Sequence, residues 1–491
     1  MRKYPDTPDF TGMNEPVCDE YRLENLDVEG EIPAEVKGAF FRAVPDPAFP
    51  PIYEDESAIS GDGMVSGLYF RDGGKVDFEI RYVQTARHKA EVAAGKTLFG
   101  KYRNPYTDDP SVKGVDRTVA NTTPVWHAGR LLMTKEDGHP YEINPHTLET
   151  VGSYDFGGAL KSETMTAHVR IDPETKEMFF FGYEADGLAS TKVSYCIADR
   201  DGTLVKEQWF DVPYCSLMHD FIITENYALF PVLPTTADLD RLKAGGDHWV
   251  HHQDLESWVG IMPRDGDVSE MRWFKGPKGV STFHIMNAFE DEEGRVHMDH
   301  NMTESVAFPF IQRASGLNIP PEKLGGGLMR WTMDMKGRDD NLVQVPLGPP
   351  GDMPRTANED QGRPYSKGWY LTVNPELQGP PLMGGVVGAE FNLLMRIEPG
   401  TGRIDAYAFP PLSGIHEPVH VPSNENGHEG WLVAMVDIMQ GEGDLYQGCW
   451  IFNAGDVAAG PVAKITIPHR LRPQVHGWWV PQGELDRSVR K

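Results

Sequence analysis

The chain has 491 residues, of which 40% are hydrophobic and 10% aromatic, a composition typical of a globular protein. Lysine and arginine together number 46 against 73 aspartate and glutamate residues, so the formal net charge is -27. A field of that sign repels nucleic acids and anionic membranes, and no basic cluster offsets it, so we expect neither as a partner.

Cellular location is addressed by three further features of the sequence. The first residues, MRKYPDTPDFTGMNEP, contain no apolar run, so a signal peptide is not expected. No apolar segment has the length that a transmembrane helix needs. The four cysteines, Cys18, Cys196, Cys215 and Cys449, form neither a CxxC motif nor a disulfide framework. We therefore expect a reduced, cytoplasmic protein.

One pattern recurs along the chain: a short apolar strand, a turn rich in Asp, Asn, Gly or Pro, and a second apolar strand. This pattern predicts β-hairpins. It is found in residues 68–83, 141–156, 194–210, 259–274, 329–345, 394–409 and 450–467. The hairpins begin roughly 50 to 75 residues apart, about the length of a four-stranded propeller blade with its loops.

Seven recurrences at this spacing predict an all-β fold, a seven-bladed β-propeller that forms a single domain over residues 1–491. A pair of β-sandwiches is the alternative, but it gives no reason for seven hairpins. Three segments are less strand-like and are predicted insertions: 86–118, 235–256 and 306–327. Because long insertions in a propeller collect on one face, we expect them to form a loop and helix cap over a site on the axis.

The histidines supply the strongest candidate for that site. Most of the 17 have ordinary explanations, such as His248, His251 and His252 in a polar loop. Four instead open or interrupt apolar strands: His168 in MTAHVRID, His219 in LMHDF, His284 in STFHIMNAF and His476 in QVHGWWV. The first three are about one blade apart, and the last follows after about three blades.

Side chains at the axial end of inner strands converge on one point, so the four imidazoles could form one metal site. Imidazole suits Fe, Cu, Zn and Ni. For any one of them, a satisfied core histidine is the alternative. Metal-bound histidines also need an acceptor for the other ring nitrogen. Glu136, Asp352 and Glu417 stand in apolar or proline-bounded contexts and are candidates, with solvated loop carboxylates as the alternative.

Several segments together resemble one family, the carotenoid cleavage oxygenases, non-haem iron propellers that split alkenes with O2. They are VEGEIPAEVKGAFFRAVPDPAFPP, GDGMV at 61–65, AHVRIDPETKEM, MHDF, FHIMNAFE and VHGWWV, and they span nearly the whole chain. The resemblance implies one Fe(II) per chain, bound by His168, His219, His284 and His476. It also implies carboxylates behind the histidines at Glu136, Glu417 and a third position, where the family usually has Glu and this chain has Asp352.

Two further segments, LFGKYRNPYTDDPSVKGVDRTVANT and TKEDGHPYEINPHTLET, are similar to the bacterial lignostilbene dioxygenases and isoeugenol-type oxygenases. That resemblance implies that Tyr102 and Lys135 bind and activate a substrate 4-hydroxyl. Without it, Tyr102 would be placed in a helix and Lys135 on a solvated strand. Stilbene-cleaving members tend to carry an aromatic residue just before the GDGM loop, but ESAISGDGM has none, which leaves Phe308 or Phe310 as candidate aromatic walls.

The function implied by the resemblance is O2-dependent cleavage of the alkene of a 4-hydroxystilbene to two aromatic aldehydes. The alternatives are cleavage of isoeugenol or 4-vinylguaiacol to vanillin, cleavage of an apocarotenoid on the same fold, and a non-enzymatic propeller that serves as a binding scaffold. The expected partners are O2 and a phenolic alkene, and a homodimer is left open.

Overall fold

Strands dominate the structure, a computed structural model that describes residues 3–316, 324–385, 388–441 and 443–490. The α-helices in that part of the chain are α1 Ala86–Ala94, α2 Leu239–Lys243 and α3 Gln482–Leu485. The first strands are β1 Tyr21–Leu23, β2 Val28–Gly30, β3 Gly38–Pro45, β4 Gly63–Phe70, β5 Val76–Tyr82, β6 Thr123–His127, β7 Arg130–Thr134, β8 Tyr141–Ile143, β9 Thr150–Ser153, β10 Arg170–Ile171, β11 Met178–Tyr183, β12 Lys192–Ala198, β13 Leu204–Asp211, β14 Ile222–Ile223, β15 Tyr227–Val232, β16 Thr235–Thr236, β17 Val250–His251, β18 Glu256–Pro263 and β19 Arg272–Lys278. The remaining strands are β20 Ser281–Glu290, β21 Arg295–Thr303, β22 Gln312–Arg313, β23 Gly326–Asp334, β24 Val343–Gly348, β25 Asp352–Arg355, β26 Gly368–Thr372, β27 Leu393–Glu398, β28 Arg403–Ala408, β29 Ser413–Ile415, β30 Val419–Val421, β31 Trp431–Gly441, β32 Asp444–Asn453, β33 Pro461–Thr466 and β34 Gly477–Pro481.

These strands form seven antiparallel blades, which confirms the predicted all-β propeller. From the inner to the outer strand they are blade 1 (β34, β3, β4, β5, β1), blade 2 (β6 to β9), blade 3 (β10 to β13), blade 4 (β14, β15, β18, β19), blade 5 (β20, β21, β23, β24), blade 6 (β25 to β28) and blade 7 (β29 with β30, β31, β32, β33, β2). Each predicted hairpin supplies the third and fourth strands of a different blade. Inner strands of neighbouring blades contact one another, which places them around the axis.

The ring of blades is closed by strands from both ends of the chain. β34 joins blade 1 beside β3, with Phe40 opposite Trp479, and β2 joins blade 7 beside β33, with Val28 opposite Ile465. Gly38 begins β3 at φ 144, and a Cβ there would lie 2.2 Å from the Val480 carbonyl oxygen. A glycine is therefore required where the two ends of the chain meet.

The core lies between adjacent blades, because each blade presents apolar side chains to both neighbours. The run MFFFGY of β11 is fully buried, as expected for a strand covered on both faces. Phe179 and Phe181 of this strand pack with Phe230 of blade 4 in one cluster. Burial of each such side chain stabilises the fold by about 1.5–3 kcal/mol.

Two of the three predicted insertions form the cap together with the described part of the third. The helix-compatible run that begins at residue 87 is helical only to Ala94, because Gly95 takes the left-handed conformation (φ 66) and ends α1. The second insertion contains α2, and its strand β17 pairs with β22 of the third. Asn104 joins the first insertion to the second by donating to the carbonyl oxygens of Leu242 and Gly246.

Residues 317–323 of the predicted insertion at 306–327 lie outside the described residues. A search of the described helices for one long and apolar enough to cross a bilayer finds none.

Candidate metal centre

The structure brings the four predicted histidines together at the axis. His168 precedes β10, His219 precedes β14, His284 lies in β20 and His476 precedes β34, so blades 3, 4, 5 and 1 each supply one. Their Nε2 atoms face one another, at 3.0 Å between His168 and His219 and at 3.2 Å between His219 and His284. The Nε2 atoms of His284 and His476 are also 3.2 Å apart.

These distances fit a metal ion. The four candidate ligand atoms all lie within 4.8 Å of one another. Two imidazole nitrogens bound at right angles about 2.1 Å from one ion are about 3.0 Å apart, close to the separations found here. Burial and the other three imidazoles hold the pKa of His168 well below its usual value, and burial also lowers the pKa of His476. Neutral imidazoles are the form that binds metals.

Three carboxylates stand behind the histidines, and they come from the blades that add no histidine to the cluster in the described chain. Glu136 follows β7 of blade 2, Asp352 begins β25 of blade 6, and Glu417 lies between β29 and β30 of blade 7. Each is close to the Nδ1 atom of a different histidine: His219 donates to Glu136, His284 donates to Asp352 across 2.8 Å, and His476 is 3.1 Å from Glu417. All seven blades thus contribute to the centre.

Asp352 reaches its histidine although its side chain is shorter than the glutamate usual in the resembled family. Its Oδ1 accepts from both His284 and the backbone N–H of Met353, the latter at 2.9 Å. Met353 is in the left-handed region (φ 54), which turns the backbone directly after the carboxylate. Burial alone would lower the pKa of His284, but the Asp352 carboxylate raises it above its usual value.

The other two carboxylates are held ionised by their surroundings. Burial favours the neutral acid, but His219 and then Lys135 lower the pKa of Glu136 to about 2. Burial likewise favours the neutral form of Glu417. Arg355, 2.9 Å from its Oε1, acts in the other direction, and the pKa of Glu417 lies below its usual value. The Glu136 carboxylate therefore accepts from Nδ1 of His219, and the Glu417 carboxylate lies 3.1 Å from Nδ1 of His476, so both favour the ring orientation with Nε2 toward the axis.

Lys135 and Tyr102 lie beside each other on one side of this centre. Lys135 is only 2% exposed, so it is not a solvated strand residue. Its Nζ donates to Oδ1 of Asn121 across 2.9 Å and lies 5.4 Å from the centre of the Tyr102 ring. Tyr102 lies in a turn after α1 and is half-buried, so it is not helical either. Burial lowers the pKa of Lys135 and raises that of Tyr102.

A row of aromatic rings connects the histidine cluster with Tyr102. Phe283 packs edge-on against His219 with ring centres 5.3 Å apart, and Phe308 packs edge-on against Phe283 at 4.0 Å. Phe310 follows, 5.4 Å from Phe308 and 5.8 Å from Tyr102. Phe283 is the member that the sequence analysis missed. It directly precedes His284 in β20, and because successive residues of a strand point to opposite faces, its position in the chain gave no signal for a place in this row.

The segment without an aromatic residue, ESAISGDGM, contacts Asn121. Asn121, which holds Lys135, also donates to the carbonyl oxygens of Ile59 and Gly61, at 2.8 Å each. Asn121 therefore links the backbone of this segment to Lys135. A pocket open to solvent lies beside Tyr102 and Phe310.

Comparisons with known proteins agree with this geometry. The family described as RPE65, retinal pigment epithelial membrane protein, matches residues 14–481. The chain is 40% identical to lignostilbene-α,β-dioxygenase isozyme III of Sphingomonas paucimobilis, with 99% of each chain covered. It is 38% identical to an isoeugenol monooxygenase of Pseudomonas nitroreducens, over 97% of this chain and 98% of that protein. The crystal structure of Pseudomonas brassicacearum lignostilbene dioxygenase superposes with a TM-score of 0.92 at 37% identity, covering 98% of this chain and 100% of the other.

Proposed function

The chain belongs to the carotenoid cleavage oxygenase family, and we propose that it is a non-haem Fe(II) dioxygenase that cleaves the alkene of 4-hydroxystilbenes of the lignostilbene type. An alkene-cleaving oxygenase is what the family membership establishes. The metal, its four ligands, the substrate and the roles of individual residues are the proposal. One Fe(II) per chain, held by His168, His219, His284 and His476, would supply the activation of O2.

One observation carries the choice of a phenolic substrate. A buried lysine and a tyrosine lie side by side, at the end of an aromatic row that begins at the histidine cluster. A flat substrate along that row would bring its 4-hydroxyl to Lys135 and Tyr102 and its alkene toward the histidines. An opposite charge close to a titratable group favours its ionised form, so Lys135 favours the phenolate.

Ionisation of the phenol is how these residues promote cleavage. The phenolate charge is delocalised through the ring onto the alkene, which becomes electron-rich enough to react with O2. Breaking one C=C bond with one O2 gives two C=O bonds, so the reaction balances without NAD, flavin or another reductant. Low water content around the buried lysine strengthens its interaction with the phenolate.

Isoeugenol cleavage is the second candidate, because isoeugenol monooxygenases are among the similar proteins and the segment before the GDGM loop has no aromatic residue. Rates with lignostilbene, resveratrol, isoeugenol and 4-vinylguaiacol separate the two. We expect the largest kcat/KM for lignostilbene. A larger value for isoeugenol would assign the enzyme to one-ring phenylpropenoids and vanillin formation.

The phenol itself is tested with a 4-methoxy analogue of the best substrate, which has the same alkene but no ionisable proton. A site built to bind a hydroxyl leaves its own polar groups unpaired when such an analogue binds, so we expect a loss of about 10⁴-fold in kcat/KM. Comparable turnover of the phenol and its methyl ether would refute activation by Lys135 and Tyr102. It would favour an apocarotenoid substrate, which carries no such group.

A further inference from the structure

The residue after Tyr102, Arg103, belongs to a buried cluster beside the proposed site, where its guanidinium also interacts with the Tyr102 hydroxyl. Arg103 donates from Nη2 to Oε2 of Glu184 across 2.6 Å and from Nη1 to the hydroxyl of Tyr183 across 2.7 Å. The side chains of Arg103 and Glu184 are 3% and 2% exposed, so this ion pair is withdrawn from solvent. Its formation fixes the guanidinium against the end of β11 in blade 3.

His248 contacts both Arg103 and Glu184, so the three residues form a closed ring of contacts, here called the ring. Its Nε2 is 3.0 Å from both carboxylate oxygens of Glu184, and its Nδ1 is 2.9 Å from the backbone carbonyl oxygen of Arg103. The side chain and the backbone of one arginine are therefore both held by the same Glu184–His248 pair. Both imidazole nitrogens face acceptor oxygens. His248 is fully buried, although the sequence predicted a polar loop.

The backbone at this point has an unusual conformation that needs such support. Arg103 has φ 52, in the left-handed region that residues with a Cβ rarely adopt. Such conformations persist where surrounding contacts over-determine them, and they cluster at functional sites. On the other side of the tyrosine, the Tyr102 N–H donates to Oε2 of Glu56 across 3.1 Å. The Tyr102 N–H is thus anchored by a buried carboxylate, and the carbonyl of the next residue, Arg103, is anchored by the buried His248.

The ring also joins parts of the chain that are distant in sequence. Arg103 lies in the first insertion, His248 in the second, and Glu184 directly follows a strand of blade 3. Tyr102 and His248 both line the pocket beside Phe310. The ring therefore ties the segment that carries Tyr102 to the propeller frame, at the wall of the space next to the aromatic row.

We propose that Arg103, Glu184 and His248 are positioning residues that hold Tyr102 at the substrate 4-hydroxyl and so determine the preference for a free phenol over its methyl ether. This inference rests on the proposed role of Tyr102. The ring acts through the backbone on which Tyr102 is mounted and through the Arg103 guanidinium beside the tyrosine hydroxyl, and none of its members needs to touch the substrate.

Two substitutions of His248 separate its two hydrogen bonds. The amide nitrogen of Gln stands about where Nε2 does, so His248→Gln keeps the contact with Glu184 and loses the carbonyl of Arg103. The amide nitrogen of Asn stands about where Nδ1 does, so His248→Asn keeps the anchor on that carbonyl. We expect His248→Gln to lower the ratio of kcat/KM for phenol over ether by about tenfold, and His248→Asn to recover most of it, within about threefold of wild type.

The matched control is His297→Gln. His297 is also buried and also bonded at both nitrogens, 2.9 Å each from Thr332 Oγ1 and Asp291 Oδ2, but it lies in β21 of blade 5. We expect it to leave the ratio unchanged. Iron content and melting temperature are measured for every variant. A loss of melting temperature in His248→Gln with an unchanged ratio would show a structural role only and overturn the inference.

A double-mutant cycle with Tyr102→Phe completes the test. If the ring acts through the tyrosine hydroxyl, His248→Gln has no further effect on the ratio once that hydroxyl is absent. An equal effect in both backgrounds would overturn the inference. No effect of Tyr102→Phe on the ratio would overturn the proposed role of Tyr102 and the inference with it. An effect of Tyr102→Phe without one of His248→Gln would overturn the inference alone.

Should His248→Gln fail to fold, Tyr183→Phe serves in its place, because it removes only the hydroxyl that accepts from Arg103. We expect about a threefold lower ratio, abolished in the Tyr102→Phe background. An unchanged ratio would overturn the inference.

Discussion

The two halves of the candidate site are built in different ways. The candidate metal centre is made at the axis by four histidines and three carboxylates that together come from all seven blades, most of them at the ends of inner strands. The side proposed to face the substrate is made chiefly by the insertions, which supply Tyr102, Phe308 and Phe310. A propeller frame fixes what lies on its axis, whereas the cap can vary without disturbing the frame. We therefore expect the propeller frame to determine the reaction class and the cap to determine which substrate is accepted.

Lys135 and Glu136 are the junction between the two halves. They follow β7 consecutively, and successive residues of an extended chain face opposite ways. Glu136 accepts from His219, while Lys135 points to Asn121 and Tyr102. The end of β7 is thus followed by one residue that contacts the histidine cluster and one that contacts the proposed substrate site. Substitutions of these two residues test whether iron binding and substrate turnover can be changed independently.

The largest loss of iron and activity is expected from replacing a histidine of the cluster. His219→Ala removes the histidine that faces both His168 and His284, so we expect the purified protein to lose its iron, about one per chain in the wild type, and all activity. Elemental analysis measures the iron. His297→Ala removes a buried histidine outside the cluster and should keep the metal. Full iron occupancy in His219→Ala would show that this ligand set is wrong.

The next largest loss of activity is expected from replacing Lys135, next to the proposed substrate site. Lys135→Met keeps the length of the side chain and removes its charge, so we expect kcat/KM for the phenol to fall about 100-fold or more with iron content unchanged. Lys192→Met, which removes an exposed cation of β12 paired with Asp211, is the control for loss of charge. If Lys135→Met lost its iron as well, the two halves would not be separable at this strand end.

The same division explains how much the sequence could predict. Apolar strands and turn residues are local signals, so the seven hairpins were predictable, and blade-like spacing then grouped four histidines. The pairing of β17 with β22 was not predictable, because it joins two-residue strands of different insertions. Burial of His248 was missed for the same reason, since its partners Arg103 and Glu184 lie far away in the chain. Tyr102 and Lys135 were found by resemblance alone.

An intermediate effect is expected where a carboxylate orients an imidazole. Glu136→Gln keeps an acceptor for His219 but removes the charge, so we expect about a 10–100-fold loss in activity or iron affinity. Glu142→Gln is a suitable control, because Glu142 is a buried carboxylate of blade 2 that pairs with Arg130 and Arg490 instead. Equal rates and iron contents in Glu136→Gln and wild type would mean that the carboxylate has no such role.

The smallest effect is expected at Asp352, where this chain departs from the glutamate usual in the family that it resembles. Asp352→Glu keeps the charge and adds one methylene, and the aspartate side chain is 22% exposed, so the longer chain has room to bend and still accept from His284. We expect activity and iron content within about threefold of wild type. Asp352→Asn keeps the length and removes the charge, and it should resemble Glu136→Gln. If Glu cost as much as Asn, the 2.8 Å contact of the short side chain would be the requirement, and the frame on this side would be specific to aspartate.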